Sequence, residues 1–282
     1  MSARPELRAV QLSCREATKS ALKTLGVHAL RNAAYLLPAL GLAVMIKYHY
    51  SRAGSEDLRW ILWPTARLVE LFSGIAFAEE LHAGFISHSR GILIAPACAG
   101  VNFLVVAFSV AVVAGLRHIR KLNLQMAWLA AALISAYVVT ICVNAARILA
   151  SIYSYETRLF SLWIAPARLH LLEGVLIYCF FLSIFYRIID GGLSRACSPS
   201  ASAVSEKQDP RFRMTAALPS FCYLVVTLLV PLLHGAASGE PGRFAEHAAI
   251  VLTACCVVGL LFSSQVGCRR MRDLLRQRPT RE

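Results

Sequence analysis

The chain has 282 residues, 57% of them hydrophobic, and a mean hydropathy of +0.58. A soluble domain must clothe itself in polar groups and cannot carry that much apolar surface, so an ordinary water-soluble fold is excluded. The formal charge of +13 does not point to a nucleic-acid partner, because the basic residues sit in short segments beside apolar runs and read as topology signals.

In chain order, residues 1–31 come first as a polar, basic segment, too long and charged for an ordinary signal-peptide n-region. No small-x-small cleavage site precedes Lys47, so an uncleaved signal anchor is expected. Apolar runs near 32–47, 96–116, 127–148, 168–187, 215–234 and 247–264 predict membrane spans, since a helix satisfies its own backbone where water is absent. A further run, 60–78, carries Pro64 and the i, i+3 pair Arg67 and Glu70, which fits an interfacial or re-entrant helix as well as a span.

Charge decides between them. If 60–78 does not cross, segments 1–31, 117–126, 187–213 and 265–282 share one side, with 20 Lys+Arg and 7 acids, while the other side holds nine of each. The positive-inside rule puts the first side in the cytoplasm. The expected fold is all-α: a polytopic transmembrane helical bundle of about six spans plus one interfacial or re-entrant helix, both termini inside. Its expected parts are a basic N-terminal segment (1–31), a transmembrane core (32–190), a Gly-, Ser- and Pro-rich polar linker (191–213), a C-terminal hairpin (214–264) and a basic tail (265–282). No internal repeat is visible.

That topology brings three reactive side chains to one membrane face. Cys98 begins the helix that starts at Pro96, Arg147 ends the next, and His170 begins the one after. At 1.5 Å per residue each lies within about two turns of the outer boundary. A thiolate is the nucleophilic form of cysteine, and a neighbouring cation favours it. Histidine exchanges protons near neutral pH, whereas arginine keeps its charge and stabilises a thiolate or an oxyanion. The other cysteines of the apolar runs, Cys142, Cys179, Cys222, Cys255 and Cys256, show no CxxC pairing for zinc and read mostly as small buried hydrophobes.

The segments Ala95-Pro96-Ala97-Cys98-Ala99-Gly100-Val101-Asn102-Phe103-Leu104, Asn144-Ala145-Ala146-Arg147-Ile148 and His170-Leu171-Leu172-Glu173-Gly174 resemble, in order and placement, the three signature blocks of the exosortase/archaeosortase family. The match covers roughly residues 90–190, and the Val-Asn-Phe after the Cys block most resembles the K-type branch. Many members have Ser where this chain has Ala99. The resemblance implies catalytic roles for Cys98, Arg147 and His170. It also implies an activity, removal or exchange of a C-terminal sorting signal on exported proteins, that signal being a short motif, a transmembrane helix and a basic tail. The implied setting is a bacterial inner membrane with the site facing the exterior. No organic cofactor or metal is implied.

Each residue has a plainer reading. Cys98 alone suits a packing cysteine, Arg147 a headgroup-seeking arginine and His170 an ordinary interfacial histidine. Asn144, one turn before Arg147, is placed either to hold the guanidinium or to bond a neighbouring helix, and Glu173 to orient His170, to keep it protonated or to sit solvated. Gly100 and Gly174 suit close helix approach. Glu79-Glu80 lacks the Arg of an EExxxR protease motif, since Gly84 stands there; His82 and His88 have no metal-ligand spacing; and Ser89 forms no GxSxG elbow. The rival to an enzyme is a non-enzymatic polytopic protein, a transporter or envelope assembly factor. A transporter calls for inverted repeats and midplane polar residues, and neither is evident.

Overall fold

In the computed structural model the described residues are 30–157, 166–197, 218–233 and 241–276. The expectations for 1–29, 198–217 and 277–282 lie outside them. Helix α1 is Leu30–Arg52, α2 is Arg59–Ser73, and three short strands follow: β1 (Ala78–Glu80), β2 (Gly84–Ser87) and β3 (Ile92–Ile94). After a 3₁₀ turn at Pro96–Cys98 come α3 (Val101–His118), α4 (Leu122–Thr157), α5 (Pro166–Cys197), α6 (Leu218–Leu232) and α7 (Pro241–Arg276).

The molecule is a helical bundle built for lipid. Five helices, α1, α3, α4, α5 and α7, are long and apolar enough to cross a membrane. The run at 215–234 gives a shorter apolar helix, α6, with a π turn at Val225–Leu229. Helix α3 is the axis of the bundle: 67% of its apolar window is buried, against 11% for α1 and 22% for α7. It packs on α4, α5 and the π turn of α6, and α1 is tied to it where the Tyr35 hydroxyl donates to Val112 O at 3.0 Å. The outer helices expose Leu37, Leu40, Val44, Ile134, Ile188 and Leu260, as expected where the surrounding solvent is hydrocarbon.

Several boundaries differ from the sequence-based ones, each for a local reason. The helix expected from Pro96 instead starts at Val101, because Gly100 takes a left-handed φ of 72° and Cys98 sits ahead of it in the 3₁₀ turn. Arg147 does not end its helix. The α4 helix runs on for ten more residues, where its polar side chains Ser151 and Ser154 find partners on α5. Helix α5 continues through Gly191 and Gly192 to Cys197, so the first part of the expected linker is helical, and α7 likewise extends into the expected tail as far as Arg276. Cys142 and Cys256 face outward rather than being buried.

Residues 78–94 form a three-stranded antiparallel sheet in order β1-β2-β3, within what the charge count treated as external loop. Strands of three or four residues carry too little periodicity to be seen in sequence, and the β1–β2 turn places His82 at φ 61°, a conformation uncommon outside glycine but one that histidine tolerates better than most.

Helix α2, the ambiguous run, has 15 residues and therefore reaches about 22 Å, short of the ~30 Å hydrocarbon core. Its buried side, Ile61, Leu62, Ala66 and Val69, lies on α4, while Trp60, Trp63, Leu71 and Phe72 face out. Pro64 has no N–H to give to Trp60 O, four residues earlier; the Tyr137 hydroxyl of α4 supplies the missing donor at 2.6 Å, with the two rings stacked at 5.7 Å. Trp and Tyr side chains clustered in this way are typical of the membrane interface.

Two polar layers bracket the apolar slab. At one end Arg117 donates to the Tyr186 hydroxyl (2.7 Å), His118 pairs with Asp190 (2.8 Å) and Arg31 reaches Arg120 O (3.4 Å). At the other end Lys47 donates to Asn102 (2.5 Å) and Asn144 meets the Cys98 turn. Along α1 the rise from Arg31 to Lys47 is about 24 Å, and along α4 that from Gln125 to Asn144 about 28 Å, close to one bilayer core.

Candidate active site

The layer that holds Lys47 also holds the cysteine. Cys98 is half-buried, and its position is set by a peptide group: the Cys98 carbonyl accepts the Asn144 Nδ2–H at 2.5 Å. Asn144 is fully buried in α4, and its Oδ1 accepts two further bonds, from Arg147 Nε (3.2 Å) and from the Tyr178 hydroxyl of α5 (2.9 Å). One amide thus joins the cysteine turn, the arginine and α5. The plain alternatives for Asn144 both apply, since it holds the guanidinium and bonds neighbouring elements at once.

The local backbone makes room for this. A Cβ on Gly100 would lie 3.0 Å from Asn144 Cγ, in addition to the strain of the positive φ, so only glycine lets the turn close on the amide. On α5 a Cβ at Gly174 would lie 3.3 Å from Arg147 Cδ, which shows how closely the arginine stem crosses that helix. The guanidinium carbon stands 5.5 Å from the centre of the Tyr178 ring, which also packs against Phe103 at 4.8 Å between ring centres.

His170 lies one turn further out on α5. Its Nδ1 shares a hydrogen bond of 2.8 Å with Ser151 Oγ, leaving Nε2 as the other ring nitrogen for chemistry. Arg147 and Glu173 are both within electrostatic range of it. No hydrogen bond among the described residues joins His170 to Cys98 or to Glu173. Glu173 instead accepts a hydrogen bond from the Ser154 hydroxyl, so direct orientation of His170 by Glu173 is corrected to orientation by Ser151. In the antiparallel α4–α5 pair Asn144 meets Tyr178, Arg147 passes Gly174 and Ser151 comes level with His170.

Sequence reasoning missed Ser151, Ser154, Tyr178, Lys47 and Tyr50. A signal for two of them was present, because Asn144, Arg147, Ser151 and Ser154 recur at 3- and 4-residue steps and make a single polar stripe on an apolar helix. Tyr50 of α1 lies within electrostatic range of Cys98 and Arg147, and Lys47 is held beside it, 5.3 Å from its ring. Nothing in the α1 sequence marks these two, since only the packing of α1 on α3 brings them to the site.

Among the described residues no three His, Cys, Asp or Glu side chains come together as metal ligands. The constellation contains a half-buried thiol, a fixed cation and an imidazole toward one end of the bundle. Those parts suit acyl transfer through sulfur. Comparison with family models, with curated proteins and with solved structures returned no match to this chain.

Proposed function

We propose that the chain is a membrane-embedded cysteine peptidase or transpeptidase of the exosortase/archaeosortase type, acting on C-terminal sorting signals of exported proteins. The observation that carries this reading is the Asn144 amide, which ties the Cys98 turn to Arg147 about one bilayer thickness from the opposite polar layer. A packing cysteine does not need its backbone carbonyl anchored by a buried amide that also holds an arginine.

In this mechanism the Cys98 thiolate attacks the scissile carbonyl carbon, forming an S–C bond and an oxyanion that Arg147 stabilises. His170 supplies the proton on which the amine leaves as the C–N bond breaks, giving a thioester. The same imidazole, held through Nδ1 by Ser151, then takes a proton from the acceptor as that acceptor attacks the thioester and releases the thiolate. Water as acceptor makes the reaction proteolysis; an amine makes it transpeptidation. The substrate's transmembrane helix would lie in the bilayer beside the lipid-facing helices, with its cleavage motif at the interfacial layer. The bias of Lys and Arg toward the opposite side favours a site on the outer face, and the resemblance implies a bacterial inner membrane.

The test compares the C-termini of exported proteins by mass spectrometry in the native host, in wild type and in a Cys98→Ala variant accumulated to the same level. A set of proteins that keeps its C-terminal helix and basic tail only in the variant is the expected result. Identical termini in both strains would remove Cys98 as the nucleophile and leave the transporter or assembly-factor reading.

A further inference from the structure

A cysteine that adds to a carbonyl leaves a negative oxygen beside its own backbone, and that oxygen needs hydrogen-bond donors already in place. The turn that carries Cys98 has spent its nearest ones: the Cys98 N–H donates to Ala95 O at 2.8 Å and the Ala99 N–H to Pro96 O at 3.0 Å. Side chains must therefore serve. Around Cys98 the Asn144 amide is taken up by the Cys98 carbonyl, and both the Tyr178 hydroxyl and Arg147 Nε are spent on Asn144. The terminal nitrogens of Arg147 remain, and so does one hydroxyl, that of Tyr50, which makes no hydrogen bond among the described residues.

Tyr50 is half-buried and packs against the core from α1. Lys47 lies one turn earlier on the same face of that helix, 5.3 Å from the Tyr50 ring, and donates at 2.5 Å to Asn102, in the first turn of α3 and four residues beyond Cys98. This contact sets the rotation of α1 and turns the face that carries Lys47 and Tyr50 toward the start of α3. Tyr50 is in electrostatic range of groups on three other elements: Cys98 in the 3₁₀ turn, Arg147 on α4 and Tyr178 on α5. A tyrosine that only anchors α1 at the membrane interface has no need to face all three. Tyr48 suits that plainer role, being 56% exposed with Arg52 over its ring.

We propose that Tyr50 is a further catalytic residue of this site, its hydroxyl donating to the oxyanion that forms when Cys98 adds to a carbonyl. The sulfur bonds to the carbonyl carbon, the C=O electron pair moves onto oxygen, and that oxygen accepts from the Tyr50 O–H and from a terminal N–H of Arg147. No proton leaves Tyr50, so the phenol is neutral again when the oxygen re-forms its double bond and the C–N bond breaks. That the carbonyl belongs to a peptide substrate rests on the peptidase reading.

The experiment uses the full chain in lipid nanodiscs and two probes of Cys98, both read by peptide mass mapping. Iodoacetamide alkylates the thiol at a saturated carbon and forms no oxyanion. The peptide aldehyde Nα-acetyl-alanyl-alaninal adds reversibly to the thiol, gives a tetrahedral oxygen and protects Cys98 from alkylation. In Tyr50→Phe the aldehyde adduct should be about tenfold weaker while the alkylation rate without aldehyde stays within about twofold of wild type, and Tyr48→Phe should leave both unchanged. An adduct equally stable in wild type and Tyr50→Phe, no adduct at Cys98 in wild type, or a parallel change in both readouts overturns the proposal. If Tyr50→Phe fails to accumulate, 3-fluorotyrosine at position 50 takes its place: it has the same shape but donates more strongly, so the adduct should tighten about threefold, and an unchanged adduct overturns the proposal. Because the adduct forms without turnover, the two readings fail separately. A Tyr50-dependent adduct, with C-terminal processing unaffected by Cys98→Ala, keeps Tyr50 as the oxyanion donor and removes the peptidase; a Tyr50-independent adduct, with processing lost in Cys98→Ala, does the reverse.

Discussion

Asn144→Ala is the perturbation that most directly tests how the site is held. The native amide makes three hydrogen bonds, to Cys98 O, from Arg147 Nε and from the Tyr178 hydroxyl, and it is fully buried. At about 1 kcal/mol net for each bond, the substitution should cost about 2–4 kcal/mol, including the groups left without partners. Reversible unfolding in mixed detergent micelles measures that cost. Tyr178→Phe removes one of the three bonds and should cost about 1 kcal/mol. The two changes share that bond, so the double variant should be less destabilised than the sum by about 0.5–1.5 kcal/mol. Alkylation of Cys98, followed by peptide mass mapping, should also speed up in Asn144→Ala, since the turn that carries the thiol loses its anchor. Strict additivity of the two substitutions, with an unchanged alkylation rate, would refute the account of Asn144 as the hub of the site.

Two further outcomes follow from the geometry. In Gly115→Ala the new Cβ would stand 2.2 Å from Trp128 Cδ1 and 2.8 Å from the Tyr35 hydroxyl, displacing the donors of Trp128 to Ala111 O and of Tyr35 to Val112 O. Two lost bonds plus overpacking predict a loss of about 3 kcal/mol or more, seen as a lower unfolding midpoint or poor accumulation, whereas Gly191→Ala, where nothing lies within 4 Å, should leave both unchanged. Arg147→Lys keeps the charge but loses the Nε bond to Asn144 and the flat group facing Tyr178, so processing should fall by about tenfold or more in a C-terminal mass assay; full activity would mean that charge alone is what matters.

The membrane class of this protein is legible in its sequence because it depends on a one-dimensional quantity. Long apolar runs must be helical in a solvent without hydrogen-bonding partners, and five of the expected spans, those starting near 32, 96, 127, 168 and 247, correspond to apolar stretches of helices α1, α3, α4, α5 and α7 within a few residues to about ten at either end. The ends were misjudged where side chains on another helix keep a polar stretch helical. Ser151 and Ser154 extend α4 past Arg147 because His170 and Glu173 face them, and no window average can register that. The small β sheet was hidden for a different reason, since its strands are too short to show a period.

For the candidate site, the chain order alone placed Cys98, Arg147 and His170 near one membrane face, because connection lengths and helix rise limit where a residue can lie along the bilayer normal. It also placed Asn144 one turn from Arg147. The partners across helices were decided by tertiary packing: Asn144 on the Cys98 carbonyl, Tyr178 on Asn144, Ser151 in place of Glu173 on His170, and Lys47 with Tyr50 brought in by α1. Depth in a membrane follows from counting residues along one helix, whereas rotation of each helix about its axis follows from how all of them fill the space between them. Composition and periodicity set the first, and only the packed bundle sets the second.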